Sequence, residues 1–318
     1  MPSVDEIVGH NGYQYRVKKD WVAASDQKLP LKDCHEMVIA ANGLLYMLGN
    51  ETTNNVIIFN KDGKVMGSWG HDYPGGHGLT LHNENGEEFL YITDTARSIV
   101  AKTTLAGKVV MEIPYPKEIS AYENAAAYKP TETLIMPNGD IYVTDGYGLQ
   151  FVIQYNSKGE YIRHFGGRGD GPSNLDCAHG IALDNRNADK NILLVTSRNQ
   201  NAFKQFSLTG EYLGTIDMPG SFVCRPVVKG NNIYAAVFRS GDNQNFGSGY
   251  LTILDEHNQV ISSPGATEPI YENGVLLPQQ KLAGHFIHPH DVCVDDDENL
   301  YVPQWNSNQV YPVKLIRV

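Results

Sequence analysis

Three histidines occupy the same position in alternate units of a repeating sequence. His77, His179 and His290 each begin a short, mostly apolar segment. Equivalent segments start at six places, namely residues 35, 77, 131, 179, 225 and 290. The starts lie about 51 residues apart on average, a period typical of propeller blades. If six units close into a ring, alternate units lie about 120° apart, and three imidazoles can converge on one point of the axis.

Converging imidazoles predict a zinc site. Neutral histidine nitrogens suit Zn²⁺, and a catalytic zinc keeps a fourth position for water or substrate. Alternatively, each histidine satisfies hydrogen bonds at the end of its strand. His35 begins the first repeat and is a candidate fourth ligand, a support for a ligand, or a hydrogen-bonding group of the channel. Histidines off this pattern are interpreted as surface or loop residues: His71, His82, His164, His257, His285 and His288.

The second strand of each unit ends at the same face as the histidines. Tyr147 is a candidate proton shuttle there, since a phenol near a cation or a metal can ionise below its usual pKa of about 10. Arg198 and Arg225 are candidates to bind a carboxylate through two parallel hydrogen bonds. The second-strand ends that carry such groups lie at 94–97, 145–147, 197–198 and 305–306.

Three aspartates near these positions have other expected roles. Asp94 and Asp145 follow second strands and are predicted to cap turns and join neighbouring blades. Asp291 directly follows His290. It is expected either to bind a hard cation together with backbone carbonyls or to orient an imidazole.

The elements that position these residues are short strands separated by turn residues. Four strands per unit predict an all-β, six-bladed β-propeller as one domain over residues 1–318. The last unit is one strand short, and the segment 13–21 is predicted to complete it and close the ring. Longer insertions at 115–129 and 242–288 are expected to cross one face as lids.

The composition of the chain argues against some classes of binding partner. The chain has 318 residues and a formal net charge of −11, which argues against a general nucleic-acid binder. It has no apolar run long enough to span a membrane. The N-terminus lacks the features of a signal peptide, so the protein is expected to be cytoplasmic, or secreted after removal of a leader. The four cysteines form no CxxC pair and are predicted to be buried free thiols, with a bridge between Cys34 and Cys293 as the alternative.

Four motifs together resemble peptidyl-α-hydroxyglycine α-amidating lyase, within the wider group of NHL-repeat propellers. They are Gly-His-Gly-Leu at 76–79, Ile-Tyr-Val-Thr-Asp-Gly-Tyr at 141–147, Ala-His-Gly-Ile-Ala-Leu at 178–183 and Pro-His-Asp-Val at 289–292. The resemblance implies a catalytic zinc on His77, His179 and His290, with Tyr147 as the catalytic tyrosine and Arg198 near the substrate. It also implies cleavage of a carbinolamide C–N bond, which releases a peptide amide and glyoxylate.

The resemblance further implies a structural calcium ion in the channel. Its ligands would be the Asp291 carboxylate and the backbone carbonyls of Leu79 and Met37. The chain departs from the family pattern at 49–52, where the catalytic arginine of blade one is replaced by Gly-Asn-Glu-Thr. Arg225 is one candidate to supply the missing positive charge.

Three functions therefore follow from the sequence. The first is a zinc-dependent lyase, or a metal-dependent hydrolase, acting on a small or peptide-like anionic substrate. The second is a non-catalytic NHL-repeat scaffold or ligand-binding propeller, because repeat folds carry many functions. The third is a calcium-dependent lactonase-like propeller, which the imidazole-rich channel disfavours because calcium prefers oxygen ligands.

Overall fold

The computed structural model describes residues 6–22, 29–187, 190–241, 247–282 and 284–318. The polypeptide forms six antiparallel sheets of four or five strands and one two-stranded hairpin. Their sequential order around one axis is that of a six-bladed β-propeller. Two single turns of 3-10 helix, Ala125–Ala127 and Arg198–Gln200, are the helical segments of this region. No helix among the described residues is long and apolar enough to cross a membrane.

The strands follow one another along the chain, blade by blade. Two N-terminal strands are β1 (Ile7–His10) and β2 (Tyr13–Lys18). Blade one contains β3 (Cys34–Ile39), β4 (Leu45–Gly49), β5 (Val56–Phe59) and β6 (Val65–Trp69). Blade two contains β7 (Gly76–Glu84), β8 (Glu87–Asp94), β9 (Ile99–Thr104) and β10 (Val109–Ile113). Blade three contains β11 (Glu132–Ile135), β12 (Ile141–Thr144), β13 (Phe151–Tyr155) and β14 (Tyr161–Gly166).

The second half repeats this plan with one interruption. Blade four contains β15 (Ala178–Asp184), β16 (Ile192–Ser197), β17 (Ala202–Phe206) and β18 (Tyr212–Asp217). Blade five contains β19 (Ser221–Val223), β20 (Val227–Lys229), β21 (Asn232–Ser240), β22 (Tyr250–Leu254) and β23 (Val260–Ser262). The hairpin β24 (Tyr271–Glu272) and β25 (Val275–Leu276) follows, and blade six contains β26 (Cys293–Val294), β27 (Leu300–Val302) and β28 (Val313–Arg317). The first strand of blade five is split, because β19 and β20 both pair with β21.

Turn chemistry explains where the hairpins reverse. Gly139 in the Pro-Asn-Gly turn at 137–139 has a φ of 88°, and Gly159 in the Ser-Lys-Gly turn at 157–159 has a φ of 78°. This left-handed backbone carries no steric cost for glycine. Each glycine N–H closes the turn, donating to Met136 O and Asn156 O respectively.

The first strands of the blades line the central channel. Each of β3, β7, β11, β15, β20 and β26 contacts the next, and β26 contacts β3. Apolar side chains fill the wedges between blades in six separate clusters, one at each blade interface. Close packing of these wedges fixes the blade positions and therefore the positions of channel side chains.

Blade six is completed by the N-terminus, as the sequence predicts. Strand β2 pairs with β28, with Tyr15 opposite Arg317 and Val17 opposite Leu315. The paired strand ends at Lys18 rather than at residue 21, and β1 adds a fifth strand that the sequence analysis did not anticipate. Trp21 instead packs its ring against Tyr301, with ring centres 5.0 Å apart.

The four cysteines are buried and unpaired, as the first interpretation predicts. The alternative bridge between Cys34 and Cys293 is absent. Of the predicted lids, the segment 115–129 packs against blades two and three through the buried residues Ile119, Tyr122 and Tyr128. Part of the second segment, 242–246, lies outside the described residues.

Closure by β2 can be tested with two substitutions in one strand. Tyr15 is fully buried and Gln14 is exposed. Truncating a large buried aromatic ring costs about 3–5 kcal/mol, so Tyr15→Ala should lower the free energy of unfolding by that amount. Gln14→Ala should change it by less than about 0.5 kcal/mol. Denaturant unfolding measures both values, and equal losses would contradict this placement of the N-terminal strand.

Candidate functional site

Irregularities in strand pairing aim the histidines into the channel. In blade one the register shifts between Cys34 and Glu36, in blade two between Gly76 and Leu79, and in blade four between Ala178 and Ile181. The shifted residues include His35, His77 and His179. Such bulges locally redirect a side chain and are common beside functional sites.

Glycine after two of these histidines allows neighbouring blades to approach closely. A β-carbon on Gly78 would lie 2.5 Å from Thr131 O, and one on Gly180 would lie 2.5 Å from Arg225 Cα. The His-Gly pairs of the sequence therefore have two parts with separate roles. The histidine side chain points into the channel. The glycine has no β-carbon, so the first strand of the next blade can approach closely.

Four imidazoles meet at one end of the channel. The ring centres of His77, His179 and His290 form a triangle with sides of 4.7 to 4.9 Å. His35 forms a second triangle on the same edge, 5.0 Å from His77 and 4.8 Å from His290. Nitrogens of His35, His77 and His290 lie within 4.8 Å of one another. All four rings are buried.

Backbone carbonyls fix the tautomers of two of these rings. His77 Nδ1 lies 2.8 Å from Thr131 O, and His290 Nδ1 lies 3.2 Å from His35 O. A carbonyl only accepts, so each Nδ1 carries the proton and each Nε2 presents a lone pair. This arrangement is the usual support of a metal-binding histidine.

His179 has no hydrogen-bond partner at either ring nitrogen among the residues the structure describes. The ring is fully buried, and an unpaired buried polar group is costly. His35 differs, since its Nε2 lies 3.3 Å from Asn50 Nδ2, while its Nδ1 has no partner. Zinc is bound by neutral imidazole, and the nitrogens found within 4.8 Å of one another are those of His35, His77 and His290.

The electrostatic environment keeps the rings neutral. Burial lowers the pKa of His77 to about 3, although the hydrogen bond to Thr131 opposes this. Burial also lowers the pKa of His179 well below its usual value, and Arg198 and the neighbouring imidazoles lower it further. Neutral imidazole is the form that binds a metal, so protons do not compete for these nitrogens at neutral pH.

Tyr147 connects the imidazoles to Arg198. The residue is 43% exposed at the mouth, but its hydroxyl lies 3.1 Å from His77 Nε2 and 3.1 Å from Arg198 Nη2. The guanidinium donates to the phenol oxygen, and the phenol donates to the imidazole. Burial raises the pKa of Tyr147 to about 12, and Arg198 opposes the increase only in part. The expected lowering by a nearby cation is therefore outweighed by burial in the protein alone.

The turn that carries Tyr147 is fixed by Asp145. Its carboxylate accepts hydrogen bonds from Lys129 N at 2.6 Å, from Leu149 N at 2.5 Å and from Tyr122 Oη at 2.6 Å. Asp145 therefore caps this turn, as its sequence position suggests. Because Tyr122 comes from the insertion 115–129, this insertion supports the site from the side.

Arg198 is a buried cation without a carboxylate partner. It is 9% exposed, and its Nη1 has no hydrogen bond. Its guanidinium carbon lies 5.0 Å from the centre of the Phe238 ring. No carboxylate of the described residues pairs with it. The nearby thiol of Cys224 does not supply the charge, since burial raises its pKa to about 12.

A cavity of about 430 Å³ opens over His35, His77 and His290, whereas His179 lies outside its lining. Besides the predicted residues, its lining includes Phe238, Arg239 and Asn50. Phe238 and Arg239 lie near the end of β21, the second strand of blade five. Residues at the ends of the other second strands were predicted to lie at the site, and these two residues occupy the same position. The insertion after residue 241 interrupts the repeat pattern and makes this strand hard to recognise in the sequence. Asn50 stands in the stretch where the resemblance places a catalytic arginine.

A larger cavity, of about 780 Å³, lies away from the histidines. Its lining comes from blades four and five and from the β24–β25 hairpin, with Asp217, His257 and Tyr271 as its ionisable side chains. Its lining contains one histidine, His257, and no cluster of imidazoles. The channel mouth is therefore the better candidate for chemistry.

The structure does not bring Arg225 to Tyr147 and Arg198. Its guanidinium makes two hydrogen bonds to the Asp291 carboxylate, at 2.8 and 3.1 Å, and one to Leu79 O at 3.3 Å. Met37 meets the same carboxylate through its N–H, at 3.1 Å. Two of the three groups that the resemblance assigns to calcium, the Asp291 carboxylate and Leu79 O, thus contact a guanidinium. A calcium ion does not fit beside it, because the two cations would repel each other at contact distance.

Two of the histidines interpreted as surface or loop residues, His285 and His288, lie in a loop but are buried. His285 is 6% exposed and His288 is 2% exposed. The His288 ring stacks on Phe238, with ring centres 5.0 Å apart. The segment before blade six folds back against blade five, and such a contact leaves no local pattern in the sequence.

Fold and site together define a class, a six-bladed β-propeller with a buried imidazole cluster at one mouth of its channel. The chain belongs to the family DUF5128, described as 6-bladed beta-propeller, which matches residues 127–314. This agrees with the predicted fold.

Curated relatives agree with the NHL resemblance at modest identity. NHL repeat-containing protein 3 of Homo sapiens is 26% identical over 187 residues, which are 56% of this chain and 52% of that protein. A probable peptidyl-α-hydroxyglycine α-amidating lyase of Caenorhabditis elegans is 28% identical over 167 residues, 50% of this chain and 45% of that protein. The chain spans about half the length of these relatives.

A solved structure extends the similarity of fold to nearly the whole chain. A gluconolactonase of Xanthomonas campestris superposes with a TM-score of 0.65 at 11% identity. The match covers 98% of this chain and 93% of that one. At this identity the likeness concerns the fold alone.

The close approach at Gly180 generates a stability test. Gly180→Ala would force a methyl group against the Arg225 backbone, and overpacking of this kind costs about 1–3 kcal/mol. Gly67 is a matched control on the outer strand β6, because a β-carbon there meets nothing within 4 Å. Gly67→Ala should be neutral or stabilising by up to about 1 kcal/mol. Chemical denaturation measures both, and a neutral Gly180→Ala would contradict the tight contact between blades four and five.

Proposed function

We propose that the protein is a zinc-dependent lyase that cleaves a carbinolamide C–N bond, like the amidating lyases it resembles. The observation that supports this most is His179, a fully buried ring with both nitrogens unpaired, among three other imidazoles. A structural histidine would satisfy its nitrogens with protein groups. A metal ligand would keep one nitrogen, the one that offers its lone pair to the ion, free of protein partners.

His77, His179 and His290 would hold the zinc ion. When bound there, zinc would supply Lewis-acid polarisation of a substrate oxygen. The Thr131 and His35 carbonyls keep the Nε2 lone pairs of His77 and His290 directed inward. His35 would support this set, and its nitrogens are close enough to those of His77 and His290 to form an alternative set of three.

Arg198 would bind the anionic end of the substrate. Its charge is buried and lacks a carboxylate, so a substrate carboxylate would complete the ion pair. The guanidinium packs on Phe238, and the guanidinium carbon of Arg239 lies 4.7 Å from the centre of the same ring. Two guanidinium groups on one aromatic side chain favour a small anion over a cation or an uncharged group.

Tyr147 would move the proton that the reaction requires. In the proposed step the C–N bond of a peptidyl-hydroxyglycine breaks, its carbon–oxygen bond becomes the aldehyde of glyoxylate, and the electron pair goes to the amide nitrogen. The hydroxyl proton of the substrate must reach that nitrogen. In its protonated form the phenol would donate to the nitrogen and then recover the substrate proton. Arg198 stabilises the phenolate that forms in between.

The assignment of the ligands predicts metal content. The purified protein should contain about one zinc ion per chain. His179→Ala should lose most of this zinc, since two imidazoles bind it far more weakly than three. His164→Ala is the matched control, because that ring is exposed on β14. Plasma mass spectrometry after gel filtration gives the ratio.

Full zinc occupancy in His179→Ala would contradict the ligand set. His35→Ala decides between the two imidazole triangles and is expected to retain zinc. Wild-type protein that contains no metal and turns over no substrate would instead favour a non-catalytic propeller.

The role of Tyr147 predicts a selective kinetic defect. Tyr147→Phe should lower kcat for an N-acyl-α-hydroxyglycine by about 100- to 10,000-fold, the usual contribution of a positioned acid–base group. Its zinc content should stay unchanged. Tyr212→Phe is the control, since that hydroxyl contacts Thr215 on β18. Glyoxylate release measures the rate, and an unchanged kcat in Tyr147→Phe would exclude the phenol as the proton carrier.

A further inference from the structure

A second polar cluster occupies the channel beside the imidazoles. The channel ion cluster consists of Arg225, Glu36, Glu132 and Asp291. The three carboxylates are completely buried, and the arginine side chain is 12% exposed. Asp291 Oδ2 lies 2.8 Å from the guanidinium, and one oxygen each of Glu36 and Glu132 lies 3.6 Å from it. One cation thus faces three carboxylates.

These carboxylates also accept hydrogen bonds from neighbouring blades. Glu36 of blade one accepts from Leu79 N of blade two at 2.7 Å. Asp291 of blade six accepts from Met37 N of blade one at 3.1 Å. Glu132 of blade three accepts from the Thr80 hydroxyl of blade two at 3.1 Å. With Arg225 from blade five, the cluster connects the first strands of five blades.

The described part of the cluster contains three carboxyl groups and one cationic side chain. Burial raises the pKa of Glu36 well above its usual value and raises that of Glu132, while Arg225 opposes both increases. Glu36 Oε1 and Glu132 Oε2 are buried without a donor. Several carboxylate oxygens and the carbonyl of Leu79 converging at one point are the donor set of a hard divalent cation. Here that point is filled by a side chain.

We infer that Arg225 is a built-in replacement for a structural divalent cation in the channel. Its guanidinium supplies positive charge and directional donors to Asp291 and Leu79 O, and it remains charged at every accessible pH. It is covalently attached, so dilution cannot remove it. The propeller therefore keeps its ring closed without calcium, although the surrounding oxygens are those of a calcium site.

If Arg225 replaces the cation, the wild-type protein should neither bind calcium nor be stabilised by it. After passage through calcium-containing buffer and gel filtration, it should contain no calcium by plasma mass spectrometry. Millimolar calcium should leave its Tm unchanged relative to calcium-depleted buffer. Stoichiometric calcium, or a Tm that rises with calcium, would overturn the inference.

Removing the arginine should create a calcium requirement. Arg225→Ala leaves three buried carboxylates without their cation, which should lower the Tm by roughly 10 °C in calcium-depleted buffer. Millimolar calcium should restore a large part of this loss and magnesium should not, because magnesium tolerates irregular sites poorly. The cavity at the opposite mouth, lined in part by Arg225 and Met37, gives the ion a route in.

Arg186 provides a matched control. It is also a buried arginine, paired with Asp184 at 2.8 Å and donating to Asp255 O at 2.6 Å, but it faces a single carboxylate. Arg186→Ala should lose stability and gain no response to calcium. A calcium response in both variants, or in neither, would overturn the inference.

If Arg225→Ala fails to fold in calcium-depleted buffer, refolding with calcium supports the replacement. Failure to fold in both buffers leaves the wild-type calcium content and Tm to decide. None of these measurements depends on zinc or turnover, so the lyase proposal stands or falls separately.

Discussion

The contact between Arg225 and the buried carboxylates sets the geometry of the channel. Glu36 directly follows His35 and Asp291 directly follows His290, while the Leu79 carbonyl comes two residues after His77. The ion cluster and the imidazole cluster are thus built on the same first strands. A shift of one strand at the ion cluster would displace an imidazole by a similar distance, because short strands transmit such movements almost rigidly.

The two clusters use burial in opposite ways. Around Arg225, burial makes charge costly, and the charges are compensated by ion pairs and backbone donors. Around His179, burial lowers the pKa values and yields four neutral rings. Arg198 lies at the edge of the imidazole cluster and is the one cation in this mouth whose positive charge, within the described part of the chain, is buried without a carboxylate. This mouth of the channel therefore offers nitrogen donors for a metal ion next to a positive charge for an anion.

Similarity of fold to other propellers does not predict which side chains lie at this mouth of the channel. The family match is to a six-bladed propeller, and a structure with 11% identity retains nearly the whole fold. Blade packing depends on apolar wedges, which many sequences can supply. Function depends on a few side chains at the ends of first and second strands, and these can change without affecting the wedges.

The sequence by itself determined the number of blades, the strand order and the closure of blade six by the N-terminal strand. It also showed that His77, His179 and His290 point to the channel. These features follow from local periodicity, turn residues and the repeat, all of which are readable along the chain. Only the tertiary structure showed that Arg225 meets Asp291 and Leu79 O, that His288 stacks on Phe238, and that Arg239 lines the cavity. Such contacts join residues far apart, 146 positions for Arg225 and Leu79, and depend on how blades pack and which rotamers fit between them. The sequence shows which residues lie at the end of a strand. Which residues they contact depends on the packing of the blades in the closed ring.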